Sequence, residues 1–162
     1  MFLLGDKVVY PMHGAGIVTR VEKRELKGEL VDYIILKMVL GDMTMMIPAE
    51  NAEKLGLRPL ITAEQLKEVE AVLRSRPENV MRKINWNRRF NIYQNKIKSG
   101  DVLEVTDVVR TLTIQEKLKK LSTGERRLLN TARNILLSEI AIYKDITEEE
   151  AQEWLKLFFT HI

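Results

Sequence analysis

The chain has no cysteine, which excludes disulfides, thiolate metal sites and a cysteine nucleophile. Its two histidines, His13 and His161, leave little for imidazole ligation or general-base work, and no Ser-His-Asp arrangement can be assembled. We therefore expect no enzyme activity, no cofactor and no metal. No apolar run approaches the roughly 18 residues of a membrane span, and the opening Met1–Asp6 is too short for a secretory signal and lacks its basic region. The expectation is a cytoplasmic protein that contacts no membrane.

What is present is an ordinary globular composition, with 45% hydrophobic and 30% charged residues in 162, enough for one domain or two small ones. The net charge of +3 is unevenly spread. Residues 1–55 hold seven Lys/Arg against eight Asp/Glu and residues 56–162 nineteen against fifteen, so the excess is in the second part. A near-neutral first part suits a protein partner better than phosphates.

The first part reads as short strands: Lys7 to Tyr10, Gly16 to Glu22, Val31 to Met38 and Met43 to Ile47, carried by β-branched enrichment more than by strict alternation. Pro11, Gly14 and Gly16 supply turn chemistry after the first. Gly28 is expected at positive φ in a hairpin after Leu26. His13 between glycines has neither the spacing nor the Lys-Ser/Thr pair of a phosphate loop, and reads as a strand connection. Met43, Met45 and Met46 cannot all be core in a regular strand, so at least one is exposed. Four or five strands in about fifty residues predict a small curled sheet or barrel, and a domain of that size buries only about 60% of its unfolded surface.

After Leu55-Gly56-Leu57-Arg58-Pro59 the pattern becomes helical. Thr62 to Gln65, Ser122 to Glu125 and Thr147 to Glu150 are three capping boxes, and Asn79 or Asn85 is positioned to cap the segment between the first two. Val102, Val105, Val109 and Leu112 keep the spacing of one buried face. So do Leu128, Ala132, Ile135, Leu136 and Ile140, and then Ala151, Trp154, Leu155 and Phe158. Glu148 to Glu150 lie in a first helical turn, where they offset the helix dipole. The predicted class is α+β: a small β-barrel domain of the Tudor/SH3-like kind over 1–55, followed by a compact all-helical domain over 56–162.

Within the helical part, Arg82 to Lys98 carries six basic residues and no acidic one, with Trp86 beside Asn85 and Asn87. Basic groups neutralise phosphates and a flat ring can stack on or wedge between bases. A core tryptophan with a solvated basic face fits the composition equally well. A second basic group, Lys117, Lys119, Lys120, Arg126, Arg127 and Arg133, brackets the turn at Ser122-Thr123-Gly124, where a helix N-terminus would aim free N–H groups at a phosphate. If the two groups share a face, they make one nucleic-acid surface.

Three segments together, Lys7 to Gly16, Gly41 to Asn51 and Asn85 to Phe90, resemble the CarD family of bacterial transcription regulators over essentially the whole chain. The first part also resembles the polymerase-interacting domain of the transcription-repair coupling helicase, but no GxxxxGK[ST] motor loop is present. The resemblance implies a Tudor-like domain that binds the β subunit of RNA polymerase, through Arg24, Leu26, Met46 and Ile47. It implies a helical domain on promoter DNA, largely independent of sequence, where Trp86 wedges into the minor groove at the upstream edge of the bubble and stabilises the open complex. Asn85, Arg88, Arg89, Arg126 and Arg127 would lie on that DNA. Family members often have a basic residue where Met46 stands, so an ionic contact does not carry over to this position and an apolar one stays open. The expected protein is a monomer, associated with the nucleoid through polymerase. The competing reading is a general small-barrel RNA-binding module unconnected to polymerase.

Overall fold

The computed structural model describes residues 2–76 and 84–161; Asn79 as an alternative cap and Arg82 and Lys83 at the head of the basic stretch lie outside them. The chain divides into two compact units, Met1–Leu60 and Ile61–Ile162.

The first unit is one antiparallel sheet of five strands, β1 (Lys7–Tyr10), β2 (Gly14–Leu26), β3 (Glu29–Met38), β4 (Thr44–Pro48) and β5 (Arg58–Pro59), in the order β4-β3-β2-β1-β5. The sequence-based boundary at 55/56 falls before the last strand. Arg58 and Pro59 read as linker because of their composition, yet they pair with Val9 and Val8 of β1, which extends the unit to Leu60. Lys27 and Gly28 adopt φ of 51° and 82°, the left-handed pair that a two-residue hairpin between right-twisted strands requires. Gly16 is needed for a different reason: a Cβ there would stand 2.8 Å from Met38 Sδ and 3.0 Å from the Lys37 carbonyl oxygen. Its absence lets β2 and β3 close against each other.

Successive side chains alternate between the two faces of the sheet, and in β1 and β3 neighbours on opposite faces are both buried, Val8 with Val9 and Ile34 with Ile35. Val8, Val18, Ile34, Leu36, Met38 and Ile47, joined by Ala52 and Leu57 from the segment after β4, form the core. Between Val18 and Arg20 the register slips by one residue. Such a bulge adds twist to the long hairpin.

The second unit contains α1 (Ala63–Arg74), α2 (Trp86–Lys98), α3 (Val102–Leu118), α4 (Thr123–Lys144) and α5 (Glu148–Lys156). All three capping boxes form as read, Thr62 with Gln65, Ser122 with Glu125 and Thr147 with Glu150. Asn85 and Asp101 cap α2 and α3 through one side-chain acceptor each. The expected stripes of α3 and α4 are buried against one another. Val69 and Leu73 of α1, Tyr93 and Ile97 of α2, and Ala151 and Leu155 of α5 join the same core. Each fully buried aliphatic or aromatic side chain there contributes about 1.5–3 kcal/mol.

Polar groups pin the periphery of this core. Asp107 of α3 takes both Lys96 of α2 and Arg110 of its own helix, and Arg110 reaches the Ser75 hydroxyl at the end of α1. Burial pulls the Lys96 ammonium down, but the hydrogen bond and charge of Asp107, with Glu104 behind them, outweigh it and leave its pKa raised. Lys117 donates to the Phe159 carbonyl at 2.6 Å, tying the last turn to α3. The carboxylate of Glu139, 1% exposed, accepts the Ile61 backbone N–H at 2.9 Å.

Tyr93 is 1% exposed, and its hydroxyl has no hydrogen-bond partner among the described residues. Burial pushes its pKa up to about 12; the Arg89 charge opposes the rise, and Glu125 and Asp107 add to it. The folded state therefore favours the neutral phenol. That contribution is whole below the ordinary value of 10.0 and is lost as pH rises from there through about 12. Tyr93→Phe should change stability at pH 7 by less than about 1 kcal/mol, because it removes an unpartnered hydroxyl. It should also raise the midpoint of alkaline unfolding, followed by circular dichroism between pH 9 and 12. An unchanged alkaline midpoint would contradict this account.

Candidate nucleic-acid and partner interfaces

Trp86 is the first residue of α2, behind the N-cap Asn85, whose side chain accepts from the Arg88 N–H at 2.9 Å. The residue is 42% exposed, so the reading of Trp86 as a core anchor does not hold. Yet it is not loose. Its Nε1–H donates to Ser122 Oγ at 3.2 Å, and its face stacks on Phe90, one turn further along α2, with centroids 5.1 Å apart and planes 22° from parallel. Its edge abuts Gly124, where a Cβ would come within 3.2 Å of both Trp86 Cζ2 and Phe90 Cε2.

The start of α2 and the start of α4 therefore meet at the ring. The two basic groups, separate in sequence, belong to the two helix starts that meet at the indole: Arg88 is in the first turn of α2, Lys119 and Lys120 precede Ser122, and Arg126 and Arg127 follow it on α4. All five are exposed. Arg126 keeps a long contact, 3.8 Å, to Glu116 at a half-exposed position, worth little in water. Lys117 is committed to Phe159.

Two expected DNA residues have other duties here. Arg89 turns inward: its side chain is 18% exposed, with Nε 3.4 Å from Glu125 Oε2 and Nη1 near the Ile84 carbonyl at 3.5 Å. The reason is the buried Glu125 carboxylate, which needs a countercharge. Asn85 is exposed, but its side-chain oxygen is used as the cap.

Glu125 connects these parts. It is 4% exposed, accepts from Gln115 Nε2 at 3.1 Å and from the Ser122 hydroxyl at 3.0 Å, and faces Arg89. A chain of polar contacts thus runs from the indole through Ser122 to a buried carboxylate and its arginine. Ser122 and Gly124 were legible only as a cap and a turn. The overlooked signal is a glycine inside the first turn of a helix, where helix propensity disfavours it and a close approach is the usual reason.

On the sheet, pairing registers decide which expected partner residues can act together. Leu26, Arg24, Glu22 and Arg20 occupy alternate positions of β2, and Arg20 and Met46 both pair with Ile35, so Arg24, Leu26 and Met46 share a face. Leu26 is 51% and Met46 42% exposed. Glu22 holds both neighbouring arginines, with Arg24 at 3.1 Å. Ile47 corrects the expectation: it pairs with Ile34, points to the core and is 2% exposed. It cannot touch a partner. Met45 is half-buried, on the other face from the exposed Met46 as alternation requires, and Met43, ahead of β4, is exposed too. Val21 and Leu30, 48% and 75% exposed, lie on the opposite face near the hairpin end and were not singled out in the sequence.

Among the described residues no helix is long and apolar enough to cross a membrane.

Comparison with known proteins matches residues 2–61 to the CarD-like/TRCF RID domain and residues 68–156 to the CarD C-terminal domain, in the order of the two units. YdeB of Bacillus subtilis (strain 168), whose name marks it as a candidate transcription factor, is 34% identical over 154 residues, covering 95% of this chain and 99% of that protein. The solution NMR structure of the 72-residue N-terminal domain of Myxococcus xanthus CarD is 24% identical, with a TM-score of 0.32, over 36% of this chain and 79% of that one. Two family models that together take in nearly the whole chain, and a relative aligned almost end to end, place this chain in the CarD family of transcription factors.

Proposed function

We propose that this chain binds the β subunit of RNA polymerase through its sheet unit and promoter DNA through its helical unit, and that it stabilises the open complex by lodging Trp86 in the minor groove at the upstream edge of the bubble. The observation that carries the DNA half is Trp86 itself, 42% exposed though its indole is fixed by its N–H and one face, where the helix starts that carry the exposed Arg88, Lys119, Lys120, Arg126 and Arg127 meet. The polymerase half draws on the match to the RID domain and on the shared face of Arg24, Leu26 and Met46.

Energetics selects the open complex over closed duplex as the target. Unstacking a base step costs a few kcal/mol, so a wedge lowers the free energy chiefly of a fork already unstacked. Stacking of a base on an aromatic ring is worth about 1–3 kcal/mol. The cations supply sequence-indifferent attraction, and Arg89 supports it from beneath by keeping Glu125 neutralised. Such contacts are weak singly. Tethering to polymerase raises the local concentration of DNA and makes them effective.

Replacing Trp86 with Ala should leave polymerase affinity intact and shorten open-complex lifetime by roughly five- to a hundredfold, the range of one stacking contact; a filter-retention decay experiment with heparin challenge reads it. An unchanged lifetime would remove the wedge. With about four phosphate contacts the salt slope for duplex DNA should be about −3.6, a loss of roughly a hundredfold between about 50 and 200 mM salt, measurable by fluorescence titration. A slope near zero would remove the cationic surface. Arg24→Glu should weaken polymerase binding and leave DNA affinity unchanged. Abundant RNA and no polymerase in a pull-down with the full chain would favour the RNA-binding reading instead.

A further inference from the structure

We infer that Ser122 and Gly124 are positioning residues that set the orientation of Trp86 before any DNA is met, and that Glu125 holds Ser122 for that task. This deepens the reading of Trp86 as the wedge and rests on it.

The ring has three constraints, each from a different chemical group. Ser122 Oγ accepts the indole N–H at 3.2 Å, Phe90 supports one face at 5.1 Å, and the bare Cα of Gly124 admits the edge. Ser122 is itself constrained. Its oxygen accepts the Glu125 N–H at 3.2 Å as the cap of α4, and its hydroxyl proton goes to Glu125 Oε1 at 3.0 Å. With the proton committed there, the oxygen can act toward the indole only as an acceptor, which matches the donor-only chemistry of Nε1. Glu125 cannot swing away, since it is buried and held by Gln115 and Arg89. The orienting chain therefore ends in the core of the helical unit.

A surface tryptophan without such support would sample several rotamers, and a partner would have to order it on binding. Here folding has already done so. The same logic explains the glycine. Its φ is not among the positive values of this chain, so alanine suits the backbone and is excluded only by the two rings at 3.2 Å. A side chain there would displace them by a few tenths of an ångström, while helix propensity favours alanine over glycine.

The test uses the full-length protein with Trp154→Phe, so that Trp86 is the one indole reporting. Ser122→Ala should diminish the near-UV circular dichroism band of the indole and quicken its fluorescence anisotropy decay in the free protein, and Ser122→Thr, which keeps hydroxyl and cap, should restore both. Open-complex lifetime should fall about fivefold in Ser122→Ala, the value of one hydrogen bond. It should recover in Ser122→Thr and show no additional loss when Ser122→Ala is combined with Trp86→Ala. Gly124→Ala should shorten lifetime while thermal stability holds or rises, a divergence that loss of fold cannot produce. An indole band unchanged in Ser122→Ala would overturn the inference. So would full lifetimes in both Ser122→Ala and Gly124→Ala when Trp86→Ala shortens them. Silence of Trp86→Ala itself would sink the wedge instead, and the band in the free protein still judges the seat separately.

Discussion

In the helical unit a large aromatic ring is held in place without being covered. Hydrophobic burial cannot do this, because the burial that fixes a ring also hides it. A hydrogen bond from the one polar atom of the indole can, provided the acceptor is itself immobile. That requirement reaches inward from Trp86 to Ser122, then to the buried carboxylate of Glu125, which faces the Arg89 guanidinium. Arg89 is thereby taken from the surface. One of the arginines of the most basic segment serves to keep a neighbour's acid buried, and cations on another helix take its place outside.

The helical architecture was legible because its signals are local. A capping box is read within four residues, a buried stripe within four turns, and here both agree: Thr62, Ser122 and Thr147 start helices, and Val105 and Leu112 face the core with Ala132 and Ile140. The seat of Trp86 was not legible, because its contacts join positions 36 residues apart and no local pattern marks a pairing of that range. The inward turn of Arg89 escaped for the same reason: its cause, Glu125, looks in sequence like the second half of a capping box and nothing more. β5 escaped because two residues, one of them proline, have too little pattern to be told from a linker.

The sheet teaches a finer lesson about adjacency. Met46 and Ile47 are neighbours with equally apolar side chains, and a motif comparison carries both to the same surface. The pleat separates them. Ile35 and Ile34, their partners on β3, place one on the face of Arg24 and Leu26 and the other in the core, so a shift of one position converts an exposed residue into a buried one. Alternation was visible for the methionines, and the same rule applied to Ile47 would have put it inside.

Glu139 bears on how the two units could be separated. Its buried carboxylate takes the N–H of Ile61, the residue that directly follows the sheet unit, so the junction peptide is stitched into the interior of the helices. An excised helical fragment beginning at the α1 cap Thr62 would discard that donor and leave a buried side chain short of one hydrogen bond, whereas a fragment that retains a few residues ahead of Ile61 keeps it. The bonded structure of the helical unit therefore begins at the N–H of Ile61, one residue ahead of the cap that opens α1.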